Sequence, residues 1–93
     1  MAMSKKHRSA LIIFKEILEA VNSCNEATIS KIAVMANVPY SRLKKQIEKM
    51  VKAGLLAESD DSGRRTYSLT PKGRRVLSML RDMESFLSSL GLI

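Results

Sequence analysis

Apolar residues recur along this chain in four stretches of helical spacing and one alternating stretch. Leu11, Ile12, Phe14, Ile17, Leu18 and Val21 repeat with Lys15, Glu16 and Glu19 between them, which predicts an amphipathic helix over about residues 9–22, ended by Ser23-Cys24-Asn25. Ile29, Ile32, Ala33 and Ala36 form the inner stripe of a second, short helix. The Thr28 hydroxyl can cap its start, and Asn37 can take the left-handed conformation that turns the chain after it. A third helix is expected from Pro39-Tyr40, because proline is tolerated at a helix start. It turns Leu43, Ile47, Met50 and Val51 to one face and stops at Gly54, with Leu55 folding back onto Met50.

The pattern then changes period. Leu55 to Glu58 reads as a short strand, and Ser59-Asp60-Asp61-Ser62-Gly63 is a cluster of turn formers. Arg64 to Leu69 alternates, with Tyr67 and Leu69 on one side and Thr66 and Ser68 on the other, as a returning strand would. Thr70-Pro71 pairs a capping hydroxyl with a proline at the first helical position. The last helix runs from there to about Leu90, with Gly91 as its stop. At 93 residues the chain makes one domain. Three helices, a two-stranded hairpin and a further helix are the winged-helix arrangement. The expected fold class is mainly α with a small β-hairpin wing: a winged helix-turn-helix plus a long C-terminal dimerisation helix.

Charge narrows the partners. Sixteen Lys and Arg against nine Asp and Glu leave a net charge of +7, with a pI near 9.9. That excess favours anionic partners, nucleic acid before a membrane surface, although charge that only keeps a protein soluble would look the same. Aromatic residues are only 4% of the chain, so the core must be aliphatic, and a core this small gains from a partner subunit. The lone Cys24 forms no intramolecular disulfide and, with the single His7, makes no zinc constellation. No cofactor or metal site is expected. No Asp, Glu, His, Cys or Ser set has catalytic spacing, so no enzyme is expected either. The six methionines read as start or packing residues. No apolar run approaches the roughly 20 residues that cross a bilayer, and Lys15 and Glu16 break the short run Leu11–Phe14 too early for a signal peptide. A cytoplasmic, nucleoid-associated protein is the expectation.

Three segments carry a family resemblance: Ala27-Thr28-Ile29-Ser30-Lys31-Ile32-Ala33, the turn and helix Ala36-Asn37-Val38-Pro39-Tyr40-Ser41-Arg42-Leu43-Lys44-Lys45, and Tyr67-Ser68-Leu69-Thr70-Pro71-Lys72-Gly73. Together with Leu55-Leu56 they resemble the archaeal winged helix-turn-helix DNA-binding proteins of about ninety residues, which include small basic Sulfolobus chromatin-associated dimers. The resemblance covers about Leu11 to Leu90. It departs at Pro39, where such proteins often place a serine cap. It implies binding of double-stranded DNA and pairing of two chains through the last helix, in an antiparallel sense that the residues alone do not dictate.

On the third helix, Ser41, Arg42, Lys45, Lys49 and Lys52 lie opposite the apolar arc, with Glu48 near one edge. A helix fits the major groove, and its first residues reach deepest. Tyr40, Ser41, Arg42 and Lys45 are therefore the candidates for base contact, and Lys44 and Lys49 for phosphate. A solvated lysine face with good helix propensity is the plainer reading of the same residues. Arg64 and Arg65, just past the hairpin turn, can enter a minor groove or hold phosphate, while Asp60 and Asp61 oppose that and can pair with them. Lys72, Arg74 and Arg75 crowd a helix start that prefers anions, a weak pointer to an anionic partner.

Val76, Leu80, Met83, Leu87 and Leu90 are spaced four, three, four, three, a heptad seam that Met79 and Phe86 widen. The first of these must pack on the domain itself, whereas Met83, Phe86, Leu87 and Leu90 would expose a patch that a second copy of the helix covers. The expected division is residues 1–8 as a basic flexible arm, 9–70 as the DNA-binding domain and 71–93 as the coiled-coil dimerisation helix. Function then divides between transcriptional regulator and chromatin architectural protein. The alternative is a winged-helix module that binds protein instead of DNA.

Overall fold

A computed structural model describes residues 8–93 as helices α1 (Ala10–Ser23), α2 (Ile29–Ala36) and α3 (Tyr40–Lys52), strands β1 (Leu56–Asp61) and β2 (Arg64–Leu69), and helix α4 (Pro71–Ser89). The expected basic arm lies outside the described residues except for Arg8. Helix starts follow their caps. The Ser9 hydroxyl accepts from the Ile12 amide at 3.1 Å, Thr28 from Lys31 at 3.3 Å and Thr70 from Gly73 at 3.0 Å. The exception is α3, whose flanking residue Pro39 makes no side-chain cap bond.

Three helices stop the same way. Asn37, Gly54 and Gly91 all have positive φ, and the amide one residue later closes on the carbonyl five residues back: Val38 on Ala33, Leu55 on Met50 and Leu92 on Leu87. These are Schellman endings, which satisfy carbonyls that a helix end leaves open.

The hairpin is longer and its turn tighter than the residue types imply. Strand β1 extends through Ser59, Asp60 and Asp61, and the connection is Ser62-Gly63 alone. Both turn residues are left-handed, at φ 56° and 84°, the geometry whose twist suits a two-residue hairpin loop. The Asp60 carboxylate accepts the Gly63 amide at 3.0 Å. The register sets Asp60 opposite Arg65 and Asp61 opposite Arg64, so opposite charges face each other where the two acids alone would favour a turn.

The aliphatic core gathers Ile17, Leu18 and Val21 of α1, Ile32 and Ala36 of α2, Leu43, Ile47 and Met50 of α3, Leu56, Tyr67 and Leu69 of the hairpin, and Leu77 of α4. Ala27 joins the sheet through a bridge to Tyr67, whose amide donates to the Ala27 carbonyl at 2.9 Å. Gly73 is needed where α4 crosses the α3–β1 connection, since a Cβ there would lie 2.1 Å from the Leu55 carbonyl oxygen.

Helix α4 presents two faces. Gly73 and Leu77 are buried, and Val76, Leu80 and Leu87 are half-buried; of these, Leu77 belongs to the core, with Val76 and Leu80 packed against it. Adjacent to them runs an exposed apolar stripe: Met79 (61% exposed), Met83 (58%), Phe86 (63%) and Leu90 (56%). Ion pairs hold the middle of α4 to α1. Lys15 contacts Glu84 at 2.7 Å and Glu19 at 3.3 Å, and Arg81 meets Glu19 at 3.3 Å. The Glu84 hydrogen bond raises the Lys15 pKa, partly offset by burial.

Candidate nucleic-acid interface

Helix α3 has one face sunk in the core and one face free. Leu43, Ile47 and Met50 are fully or almost fully buried, while Tyr40, Ser41, Arg42, Lys44, Lys45, Lys49 and Lys52 are exposed. At about 100° per residue, Ser41, Lys45 and Lys52 form the outward crest. Tyr40 and Lys44 lean to one side of it, and Arg42 and Lys49 to the other. The five cations of this helix pair with no carboxylate among the described residues.

The helix flanks divide the expected residues. Tyr40 and Lys44 share a groove with Lys52, with Thr28 and Ser30 at the start of α2, and with Arg64 and Arg65 of the wing. Arg42 lines a separate small hollow with Gln46, next to Ala10, Ile13 and Phe14 of α1. Ser41, Lys45 and Lys49 line neither. The surface is therefore a basic crest with a groove of mixed charge on its wing side, which Glu48 and Glu58 also line, not a single cleft.

The wing cations are engaged. Arg64 pairs with Glu26 at 3.0 Å, and Arg65 with Glu58 at 3.5 Å and Asp60 at 3.7 Å. Asp60 thus pairs as its position opposite Arg65 implies, Asp61 pairs with neither arginine, and the further partners Glu26 and Glu58 are ones the sequence pattern does not point to. Glu58 was accessible in principle, because a two-residue turn sets it directly opposite Tyr67; Glu26 is remote in sequence and gives no local signal. Glu58 also accepts from the Tyr67 hydroxyl at 3.3 Å. Burial, and secondly the Glu58 carboxylate, push the Tyr67 pKa up.

At the start of α4, Lys72 does not wait for an external anion. Its ammonium donates to the Ala53 carbonyl at 3.0 Å, where it meets the negative end of α3. Arg74 and Arg75 are exposed. Elsewhere, Cys24 is half-buried with its sulfur 3.9 Å from that of Met35. Among the described residues no cluster of three or more His, Cys, Asp or Glu could hold a metal ion, and no helix is long and apolar enough to cross a membrane.

No curated protein matched the chain. Solved structures did. Sso10a-2, a DNA-binding protein from Sulfolobus solfataricus, is similar with a TM-score of 0.75 and 23% identity, over 89% of this chain and 85% of that one. A MarR family transcriptional regulator from Silicibacter pomeroyi superposes with a TM-score of 0.74 and 23% identity, over 84% of this chain but 53% of its own, so this chain spans about half of that protein. AF1382 from Archaeoglobus fulgidus matches with a TM-score of 0.72 and 17% identity, over 90% and 96% of the two chains. At these identities the likeness is one of fold. The family model described as winged helix-turn-helix matches residues 7–88, nearly the whole of what the four helices and the wing occupy, and the chain belongs to the winged helix-turn-helix family.

Proposed function

We propose that this protein binds double-stranded DNA through α3 and the wing, as a dimer joined along α4, and acts as a transcriptional regulator or an architectural protein. The observation that carries the reading is the exposed face of α3, where Arg42, Lys44, Lys45, Lys49 and Lys52 stand without carboxylate partners among the described residues. A helix so charged, held rigidly by its buried face, suits a major groove lined by phosphates. Tyr40, Ser41, Arg42 and Lys45 are assigned to bases, Lys44 and Lys49 to phosphates, and Arg64 and Arg65 to the wing's share. The description of Sso10a-2 as DNA-binding and the regulator class of the Silicibacter pomeroyi protein support the same reading.

Titration of random and genomic duplexes at several salt concentrations tests it. Log K should fall with log salt by about 0.9 for each phosphate contacted. Absence of binding at low salt, or binding that ignores salt, sinks the reading.

The dimer half rests on Met79, Met83, Phe86 and Leu90, whose exposure on one stripe leaves apolar surface that a second α4 would cover. Residues 71–93 would then serve both the domain core, through Leu77, and the seam. The same stripe favours the second reading, a module that docks protein. Light scattering separates the two: a dimer at micromolar concentration that Phe86→Glu converts to monomer supports the seam, and a wild-type monomer removes it.

A further inference from the structure

Arg8 stands just before α1, yet its side chain reaches the far end of α2. Nη1 donates to the Ala36 carbonyl at 2.8 Å and pairs with the Glu16 carboxylate. Nη2 donates to the Asn37 carbonyl at 2.6 Å. The side chain is only 26% exposed. One guanidinium thus joins the start of α1, its middle and the α2–α3 turn.

That turn is closed by backbone bonds from the Asn37 and Val38 amides, but no local side chain or charge backs them. Helix α2 has no basic residue in its last turn to meet its negative end. Asn37 holds φ at 55°, a left-handed conformation that asparagine enters more readily than most residues with a side chain, though still at some cost. On the other side of the turn, Pro39 gives α3 no side-chain cap. Arg8 supplies from outside what the connection lacks. A planar fork can serve two neighbouring carbonyls and a carboxylate together, which a lysine ammonium does with less directional hold.

We infer that Arg8 is a positioning residue for α3: it fixes the α2–α3 turn and with it the direction in which Tyr40, Ser41 and Arg42 are presented. The inference rests on the reading of α3 as the DNA-contacting helix. Because the Arg8 charge is met inside the protein, its influence on DNA runs through geometry rather than through a phosphate.

The test compares the full-length wild type with Arg8→Lys, Arg8→Ala and Glu16→Gln, by amide hydrogen exchange and by duplex titration. In Arg8→Lys, which conserves net charge, exchange at Asn37, Val38 and Leu43 should quicken about fivefold or more, while Leu55 at the other end of α3 keeps its rate. Affinity for the preferred duplex should fall roughly three- to tenfold through lost preorganisation, with the salt slope unchanged. Glu16→Gln should move both readouts the same way, by less. Wild-type exchange and affinity in Arg8→Lys and Arg8→Ala would overturn the inference. So would a salt slope reduced by about one in Arg8→Ala, which would make Arg8 a phosphate contact. Failure of the wild type to bind any duplex would sink the DNA reading itself, and the exchange rates would still decide whether Arg8 holds the turn.

Discussion

Helix α3 and the wing carry the same kind of charge and hold it in opposite ways. The α3 cations ride on a helix whose other face is locked into the core by Leu43, Ile47 and Met50, and they have no carboxylate partners among the described residues. The wing arginines sit on a two-stranded hairpin that is exposed along most of its length, and both are matched by carboxylates from Glu26, Glu58 and Asp60. A phosphate approaching α3 replaces water, whereas one approaching the wing must also replace an ion pair. Each such exposed pair is worth only about 0–1 kcal/mol, so the wing is restrained rather than blocked. Buried support with unpaired charge on one side, and exposed support with paired charge on the other, would make α3 the main anchor and the wing an adjustable addition in the proposed complex with DNA.

The contrast in support can be broken first, because its effect is largest. Leu43→Ala should cost about 2–5 kcal/mol of folding stability, since it empties a fully buried position under α3. Ser59→Ala, on the exposed strand of the wing, should stay within about 0.5 kcal/mol. Urea unfolding measures both, and comparable losses would show that the wing is as much a foundation as the core.

A smaller effect sharpens the contrast in charge. Glu58→Gln releases Arg65 from its nearer carboxylate and should tighten duplex binding by roughly two- to fivefold. In an Arg65→Ala background the same substitution should give much less, because the released partner is gone. An equal gain in both backgrounds would mean that Glu58 acts only through net charge.

The smallest effect lies at high pH. Tyr67 has its pKa raised above the ordinary value of 10.0 by burial and by Glu58. The folded state therefore holds this proton more tightly than the unfolded state does. The resulting stability is complete below about pH 10 and is lost as pH rises through the folded pKa. Tyr67→Phe should be slightly less stable at pH 8, and the gap should narrow as pH rises past 10. Parallel stability curves for the two proteins would contradict the assigned cause.

Most of the fold was legible because its punctuation is local. Thr28, Thr70, Asn37, Gly54 and Gly91 each act within a few residues, and the helices begin or end where these residues stand. Residue types alone shorten the wing, because Ser59, Asp60 and Asp61 are turn formers, and only the register with Thr66, Arg65 and Arg64 makes them strand. On α4, spacing alone could not say which arc the domain itself occupies. Val76, Leu80 and Leu87 prove to be half-buried, while Met83, Phe86 and Leu90 stand on the exposed stripe with Met79. The α3 surface could be proposed from periodicity, but Arg8 and Glu26 act on residues far along the chain, and no window of sequence displays such pairs.

The most direct test of the leading part proposed for α3 is the salt dependence of duplex binding in two charge-neutralised proteins. One carries Lys44→Gln and Lys49→Gln, and the other carries Arg64→Gln and Arg65→Gln. If the α3 cations are the main anchor, the first should lower the salt slope by about 1.8 per protomer, and the second by clearly less than about 0.9 per arginine removed. Equal loss per cation in the two proteins, or an unchanged slope in the α3 variant, would contradict the account.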